Sequence, residues 1–501
     1  MHWTDEEHPL WKWLLRACAA ATVVPLWSAA HLPFTDLPQH VAAIGTLRHW
    51  WDPVWKSQEY FTLALGQTQY LLYYLVGAAL AFPLGTAERA NLVLLSLTAI
   101  AFPYSLRSLL KALRADTRLA LFACTLFWSQ ALLIGFFNYV AAMPLVLWGL
   151  ALAVRRHRPW LLAACAVALF YLHLSAFIFF APAAALASVA LPRFSPPREW
   201  PRRMLWAAPV LVLSVLWLVS SPVVHPQSVG WSQPMAVAFE QPDTALEHLV
   251  GALLDIWRGP EDEYCLLALI ACAALLAWPQ RRELPSDDEA WTRGVVAAWA
   301  ALAAVLYLAF PVSIGWMWQL NERYALIVAL LLPLLLRPAR GWRGAIPLGL
   351  VAATSLFAAG AALANIRNFE NEVGPFDEVL AHAQPGRRLI GMIFDQNSRS
   401  AKFSAFLHFQ AYYRARMGGV ASFSFAELPQ SPLRYRPENA PPPHPAGWEW
   451  HANMVRNDYD GTYYDYVLVH GYVDPFAHHP PGPQWRVLSR EGSWTLYEKV
   501  P

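Results

Sequence analysis

In the stretch TDLPQH (35–40) a carboxylate, Asp36, precedes an imidazole, His40, by one helical turn, and Arg48 follows two turns later. At helical spacing these three positions share one face. A carboxylate so placed can take a proton from an attacking group, with the histidine orienting it or sharing that proton. The same residues also make a well-formed helix start, with Asp36 as cap, Pro38 in the first turn and Gln39 reaching back. Both readings stand on the pattern alone. What separates them is the side of a membrane on which Asp36 lies and what joins it there. Ionisable residues at a membrane boundary tend to mark sites.

The case for a membrane is compositional. Of 501 residues 56% are hydrophobic and 14% charged, and mean hydropathy is +0.30. A water-soluble chain of this length could not hide that much apolar surface, so lipid is the expected solvent for most of it. The 25 tryptophans suit a protein with many helix ends at the bilayer interface. A net charge of +2 gives no basis for a nucleic-acid partner. The five cysteines lie in or beside apolar runs without a CxxC pair, which speaks for neither a disulfide frame nor a zinc site. The acidic start MHWTDEEHPLWKW lacks a small-residue cleavage site, so the first helix reads as retained.

A bilayer core is crossed by about 20 apolar residues. On that ruler about 11 spans are expected, near 10–30, 88–106, 119–136, 139–154, 160–173, 175–191, 204–221, 264–278, 294–311, 324–337 and 345–364. The pieces 139–154 and 160–173 are short enough to be partly re-entrant. Lys and Arg collect in every second linker: 107–118, RRHR (155–158), 193–203, PQRRE with Arg293 (279–293), and 337–343. Short basic loops stay cytoplasmic. The opposite face then carries Asp36 in a long outer loop (31–87), the turns at Asn138 and His173, the loops 222–263 and 312–323, and the chain after 365. With the N-terminus inside, YLLYYLVGAALAFPLG (70–85) must lie in the outer interface rather than cross. The other reading, a true span with the N-terminus outside, would put Asp36 inside.

From residue 366 on, charged side chains are clearly denser than in the chain before it, and the long apolar runs cease. This predicts a transmembrane domain over 1–365 and a small extracytoplasmic α/β domain over 366–501. Strands are expected in GRRLIGMIF (386–394) and YYDYVLVHG (463–471), with a hairpin in 484–500 around Glu491-Gly492. A helix is expected over 401–418, ending in glycine.

An aspartate just after the first span, heading a large outer loop, resembles the polytopic GT-C glycosyltransferases, among them protein mannosyltransferases, aminoarabinose transferases and oligosaccharyltransferases. The matching fragments are TDLPQH, the outer turn GFFNYVAAMP (135–144) and NERYALIVALLLPLLL (321–336). The resemblance covers the whole chain in architecture and these short stretches in sequence. It implies a sugar moved from a polyprenyl-phosphate-linked donor to an acceptor, a lipid, glycan or protein, at the outer face of a bacterial inner membrane. In it Asp36 acts as base with His40 as helper, and Arg323, then Arg48, hold the leaving phosphate with Asn138 and Tyr324 nearby. The bland reading of Arg323 is a boundary residue snorkelling or paired with Glu322. Two departures count: many relatives carry a second acid where this chain has Leu37, and another where it has Asn138. One carboxylate and an amide make a poor divalent site, so no cofactor is expected. The departures also keep open a non-catalytic membrane component of envelope polysaccharide assembly or export.

Overall fold

The computed structural model describes residues 4–66, 68–155, 158–229, 234–278 and 286–500. Parts of two basic linkers, 156–157 and 279–285, lie outside the described residues, as do residue 67 of the outer loop and residues 230–233.

Each of the eleven apolar segments is helical in whole or part. Among the described residues six helical stretches are long and apolar enough to cross a membrane: Ala87–Ala112, Thr117–Ile134, Phe137–Arg155, Pro197–Ser220, Asp287–Ala309 and Trp342–Val373. Four shorter apolar helices accompany them. The elements that matter below are α1 (Pro9–Val23), α2 (Leu37–Arg48), α3 (Leu72–Leu84), α4 (Ala87–Ala112), α5 (Gln130–Ile134), α6 (Phe137–Arg155), α7 (Pro159–Leu172), α8 (Leu174–Ala190), α9 (Ala208–Ser220), α10 (Glu261–Ala277), α11 (Asp287–Ala309), α12 (Arg323–Leu331) and α13 (Trp342–Val373). The helix α9 shows why lipid is needed. Only Val210 of it is buried, while Leu211, Val212, Val215, Leu216, Leu218 and Val219 stand exposed. A helix that is apolar all round and unburied has no stable place in water. Exposed tryptophans at helix ends, Trp27, Trp160, Trp278 and Trp342, suit the interface.

The two ends of the bundle are distinguishable by their contacts. The basic linkers meet one another at one end: Arg155 reaches Ser108, Arg193 pairs with Asp288, and Arg337 pairs with Glu289. The chain start belongs there too, because Glu6 accepts from Thr117 and Arg118 donates to the Thr4 carbonyl. Helix α1 therefore carries the chain from the basic end to Asp36 at the other. Helix α3 begins where Leu71 N–H donates to Tyr171 and ends just before Glu88, which pairs with Arg416. Both contacts lie at the Asp36 end, so α3 lies along that end without crossing, as the charge pattern requires.

After Val373 a five-stranded sheet forms in the order β3 (Val420–Ala421), β2 (Arg388–Ile393), β5 (Tyr466–His470), β7 (Trp494–Lys499), β6 (Trp485–Glu491). The first three run parallel, and β7 joins β5 and β6 antiparallel. The three predicted strand regions are present, and Gly492 turns the hairpin at a φ of 57°. The predicted helix over 401–418 is shortened to α14 (Ala411–Met417). Its first half is pulled into a docked loop instead: Arg258 N–H donates to Ser400, Lys402 N–H to Ile256, and Lys402 Nζ lies 3.1 Å from Glu263. Tertiary contacts override helical spacing there.

This sheet does not stand apart from the outer loop. Strand β1 (Phe61–Leu63) pairs antiparallel with β4 (Leu433–Tyr435), and Gly419 N–H donates to the Trp55 carbonyl. A part-exposed ionic cluster around the buried His31 adds to the seam: His31 Nε2 lies 3.1 Å from Asp377, and Arg416 contacts Asp377 and Glu88 at 2.6 and 2.9 Å. Two carboxylates beside its ring outweigh burial and raise the His31 pKa.

Candidate functional site

Asp36 occupies the cap position of α2, but its side chain makes no capping hydrogen bond. Its backbone N–H donates instead to the Ile134 carbonyl, 2.9 Å away, and Thr35 N–H donates to Leu133. The loop before α2 is thus laid along the end of α5. Its carboxylate is left for other partners. It is 17% exposed, and Oδ1 lies 3.3 Å from His408 Nε2 in the chain after Val373.

The turn Gly135–Asn138 is the hub. Gly135 has a φ of 102°, and a Cβ there would sit 2.7 Å from Asp36 Cβ. Only glycine lets the two backbones approach so closely. On the other side of the turn, the Phe136 ring lies beneath the Arg323 guanidinium, with Cζ 4.3 Å from the ring centroid. Arg323 opens α12, and its backbone carbonyl accepts from the Tyr139 hydroxyl. One turn of chain therefore touches Asp36 with its first residue and Arg323 with its second.

Arg323 is buried, 8% exposed, yet no carboxylate lies within ion-pairing distance among the described residues. Its Nη2 donates to the Trp318 carbonyl at 3.2 Å and Nη1 lies 3.3 Å from His173 Nε2, while Nε has no partner. Glu322 does not pair with it. Glu240 meets His248 at 2.6 Å and Asn321, just before α12, at 3.2 Å. Asn138 is 2% exposed, and both its amide atoms lack partners. A buried cation and a buried amide left open are costly unless something completes them.

His40 takes a place other than the one its spacing suggests. Its Nε2 lies 2.7 Å from the Gly135 carbonyl and Nδ1 lies 2.9 Å from the Tyr74 hydroxyl. Both ring nitrogens are used, so the ring is a neutral strut that ties α2 to the turn and to α3. Burial pushes its pKa down to about 4, with Asp36 nearby acting against that. Arg48 closes the last turn of α2, at the opposite end of that helix from Asp36. It is not brought to the carboxylate. Tyr324 is fully buried with its ring edge-on to Phe310, 5.6 Å between centroids. Trp318 stacks on Phe403, and Trp316 donates to Gln430, which joins the 312–323 loop to the sheet domain. His173 caps α8 and packs edge-on against Tyr70 and Tyr139.

Sequence reasoning missed His408. It sits in the apolar run AFLHFQAYY, far along the chain from its partner, and nothing in that pattern marks it. Behind it lies Glu449, whose pKa burial raises, with Asp36 adding to the rise and His408 opposing it. Among the described residues no three His, Cys, Asp or Glu side chains converge to hold a metal ion.

No protein-family profile matches the chain, and no curated protein matches it in sequence. Solved structures do. The chain is similar to ArnT from Cupriavidus metallidurans, a structure bound to undecaprenyl phosphate, at 14% identity and a TM-score of 0.56, over 97% of both chains. It is similar to the arabinofuranosyltransferase AftD from Mycobacteria at 16% identity and a TM-score of 0.53, over 97% of this chain and 40% of that one. The chain shares the fold of these solved structures; in it a scaffold of apolar helices is followed by a small sheet.

Proposed function

We propose that this chain is a membrane glycosyltransferase that moves a sugar from a polyprenyl-phosphate donor to an acceptor at the membrane surface carrying Asp36. The observation behind this reading is the Gly135–Asn138 turn, which has a carboxylate on one side and a guanidinium without an acidic partner on the other. In the reaction an acceptor hydroxyl or amine forms a bond to the anomeric carbon as the bond to the phosphate oxygen breaks. Asp36 takes the acceptor proton, within hydrogen-bond reach. The leaving lipid phosphate already carries its charge and needs cations to hold it, not an acid. Arg323 supplies a planar fork matched to phosphate oxygens, in a site dry enough to strengthen the contact. Asn138 can offer its amide to sugar or phosphate, and His40 acts as the strut that fixes the turn beneath Asp36. The fold shared with a structure bound to undecaprenyl phosphate supports a lipid of that class as carrier. The basic linkers collect at the opposite end, which supports an outer-face site and an extracytoplasmic sheet domain in a bacterial inner membrane.

The test is transfer from polyprenyl-phosphate sugars by membranes holding wild type or Asp36→Asn. Loss of a general base lowers the rate by roughly 100-fold or more. Equal transfer by both would remove the catalytic reading and leave a scaffold for envelope polysaccharide assembly.

A further inference from the structure

We infer that His408 is a positioning residue for Asp36, holding one carboxylate oxygen so that the other faces the acceptor, and that the site is incomplete without the C-terminal segment. This rests on the reading of Asp36 as the base. Three observations carry it.

The first is the contact itself. Asp36 Oδ1 meets His408 Nε2 at 3.3 Å, and Oδ2 has no protein partner among the described residues. A carboxylate anchored by one oxygen is aimed by its anchor, and the open oxygen is the one able to accept a proton. The second is the way the imidazole is held. Its side chain is 4% exposed and its ring stacks on Phe423, 4.9 Å between centroids and 11° between planes. The third is the backbone of Phe423, which has a φ of 45°. For a bulky residue the left-handed region is costly and persists only where the surroundings over-determine it. Here the Phe423 carbonyl accepts from the Gln39 amide, while Phe425 N–H donates to Gln39 Oε1 at 3.4 Å. Gln39 lies in the first turn of the helix that Asp36 heads. The strained residue is therefore clamped to that helix while its ring backs the histidine that Asp36 touches. A strain kept at this seam serves to fix the two partners in register.

The charged and titratable groups facing His408 are Asp36 on α2, His40 one turn on, and Glu449 beyond the sheet edge. The experiment reads the contact without any sugar donor. Full-length protein in lipid nanodiscs is labelled with a hydrophobic carbodiimide at one fixed pH, and the Asp36 adduct is quantified by mass spectrometry. His408→Phe keeps the stack on Phe423 and removes the nitrogen that contacts Oδ1. Asp36 labelling should then rise about threefold over wild type, since both carboxylate oxygens are left unanchored. His408→Gln, which restores a polar side chain, should return most of that change. His408→Leu stands in if the phenylalanine variant does not fold. Labelling that is unmoved or lowered in the variant without the ring nitrogen overturns the proposal. In the transfer assay the same variant should lose turnover with the donor KM unchanged. Wild type without transfer would count against the glycosyltransferase reading, whereas unmoved labelling counts against His408 alone.

Discussion

Two buried arginines, one at each end of the bundle, have nearly the same exposure and opposite surroundings. Arg118, at the basic end, is 7% exposed and held by Asp116 through Nε and Nη2 at 3.0 and 2.6 Å, with the Thr4 carbonyl on Nη1. Arg323, at the Asp36 end, is 8% exposed and has an aromatic face, a carbonyl and an imidazole, but no carboxylate. The first is a closed ion pair that fastens α1 to the linker after α4. The second has no carboxylate within ion-pairing distance among the described residues. In the proposed function that difference separates a structural cation from one that holds the lipid phosphate.

The widest separation between the two ends should come from removing each cation. Arg118→Ala leaves the partly buried Asp116 with only the backbone N–H of residue 118, and losing the charge-assisted bonds costs about 1.5–3 kcal/mol. Thermal unfolding of the detergent-solubilised protein should show a clear drop in Tm. Arg323→Leu orphans no carboxylate, so its Tm should stay near wild type. A larger fall in the Arg323 variant would break the comparison.

The strut His40 gives a pH signature at the Asp36 end. Its folded pKa of about 4 lies below its ordinary value of 6.5, so below pH 6.5 the unfolded chain binds a proton that the folded one refuses. Stability is therefore full above pH 6.5 and falls as pH drops toward 4, by about 3 kcal/mol at 1.36 kcal/mol per pH unit. Unfolding midpoints measured across that window should flatten in His40→Gln. An equal slope in both proteins would mean that the imidazole is solvated.

Gln39 offers the smallest effect. Its two hydrogen bonds to the 423–425 segment are each worth about 1 kcal/mol. Gln39→Ala should lower stability by about 1–2 kcal/mol and loosen α2 from the sheet domain, read as faster hydrogen exchange at Phe425. Unchanged exchange would show that the seam is held by strand β1 and the Arg416 cluster without Gln39.

Much of this scaffold was legible in the sequence because its signals are local. A long enough apolar run makes a span whatever it touches, and basic linkers sort the ends. Segment 70–85 could be laid along the Asp36 end from linker charge alone, and the contacts of Leu71 and Glu88 lie at that end. The strands in 386–394, 463–471 and 484–500 were legible from β-branched and aromatic runs broken by glycine. What spacing could not give is direction and distance. Arg48 shares a helix face with Asp36, but a helix face is a line, and the two sit at its opposite ends. His40 has the right spacing, and its ring turns to Gly135 and Tyr74 instead. His408 was invisible because its meaning depends on a strand pairing between residues 61–63 and 433–435 that no local pattern encodes. The 401–410 half of the predicted helix failed for the same reason, drawn into the loop around Arg258 and Lys402.

In the proposed reaction one lipid phosphate meets Arg323 while Asp36 faces the acceptor across the same turn. Binding of undecaprenyl phosphate to purified wild type, Arg323→Leu and Asp36→Asn measures this most directly. The predicted result is affinity at least about tenfold weaker in Arg323→Leu and equal or tighter in Asp36→Asn, where a nearby negative charge is gone. Arg323→Leu binding as tightly as wild type would contradict it.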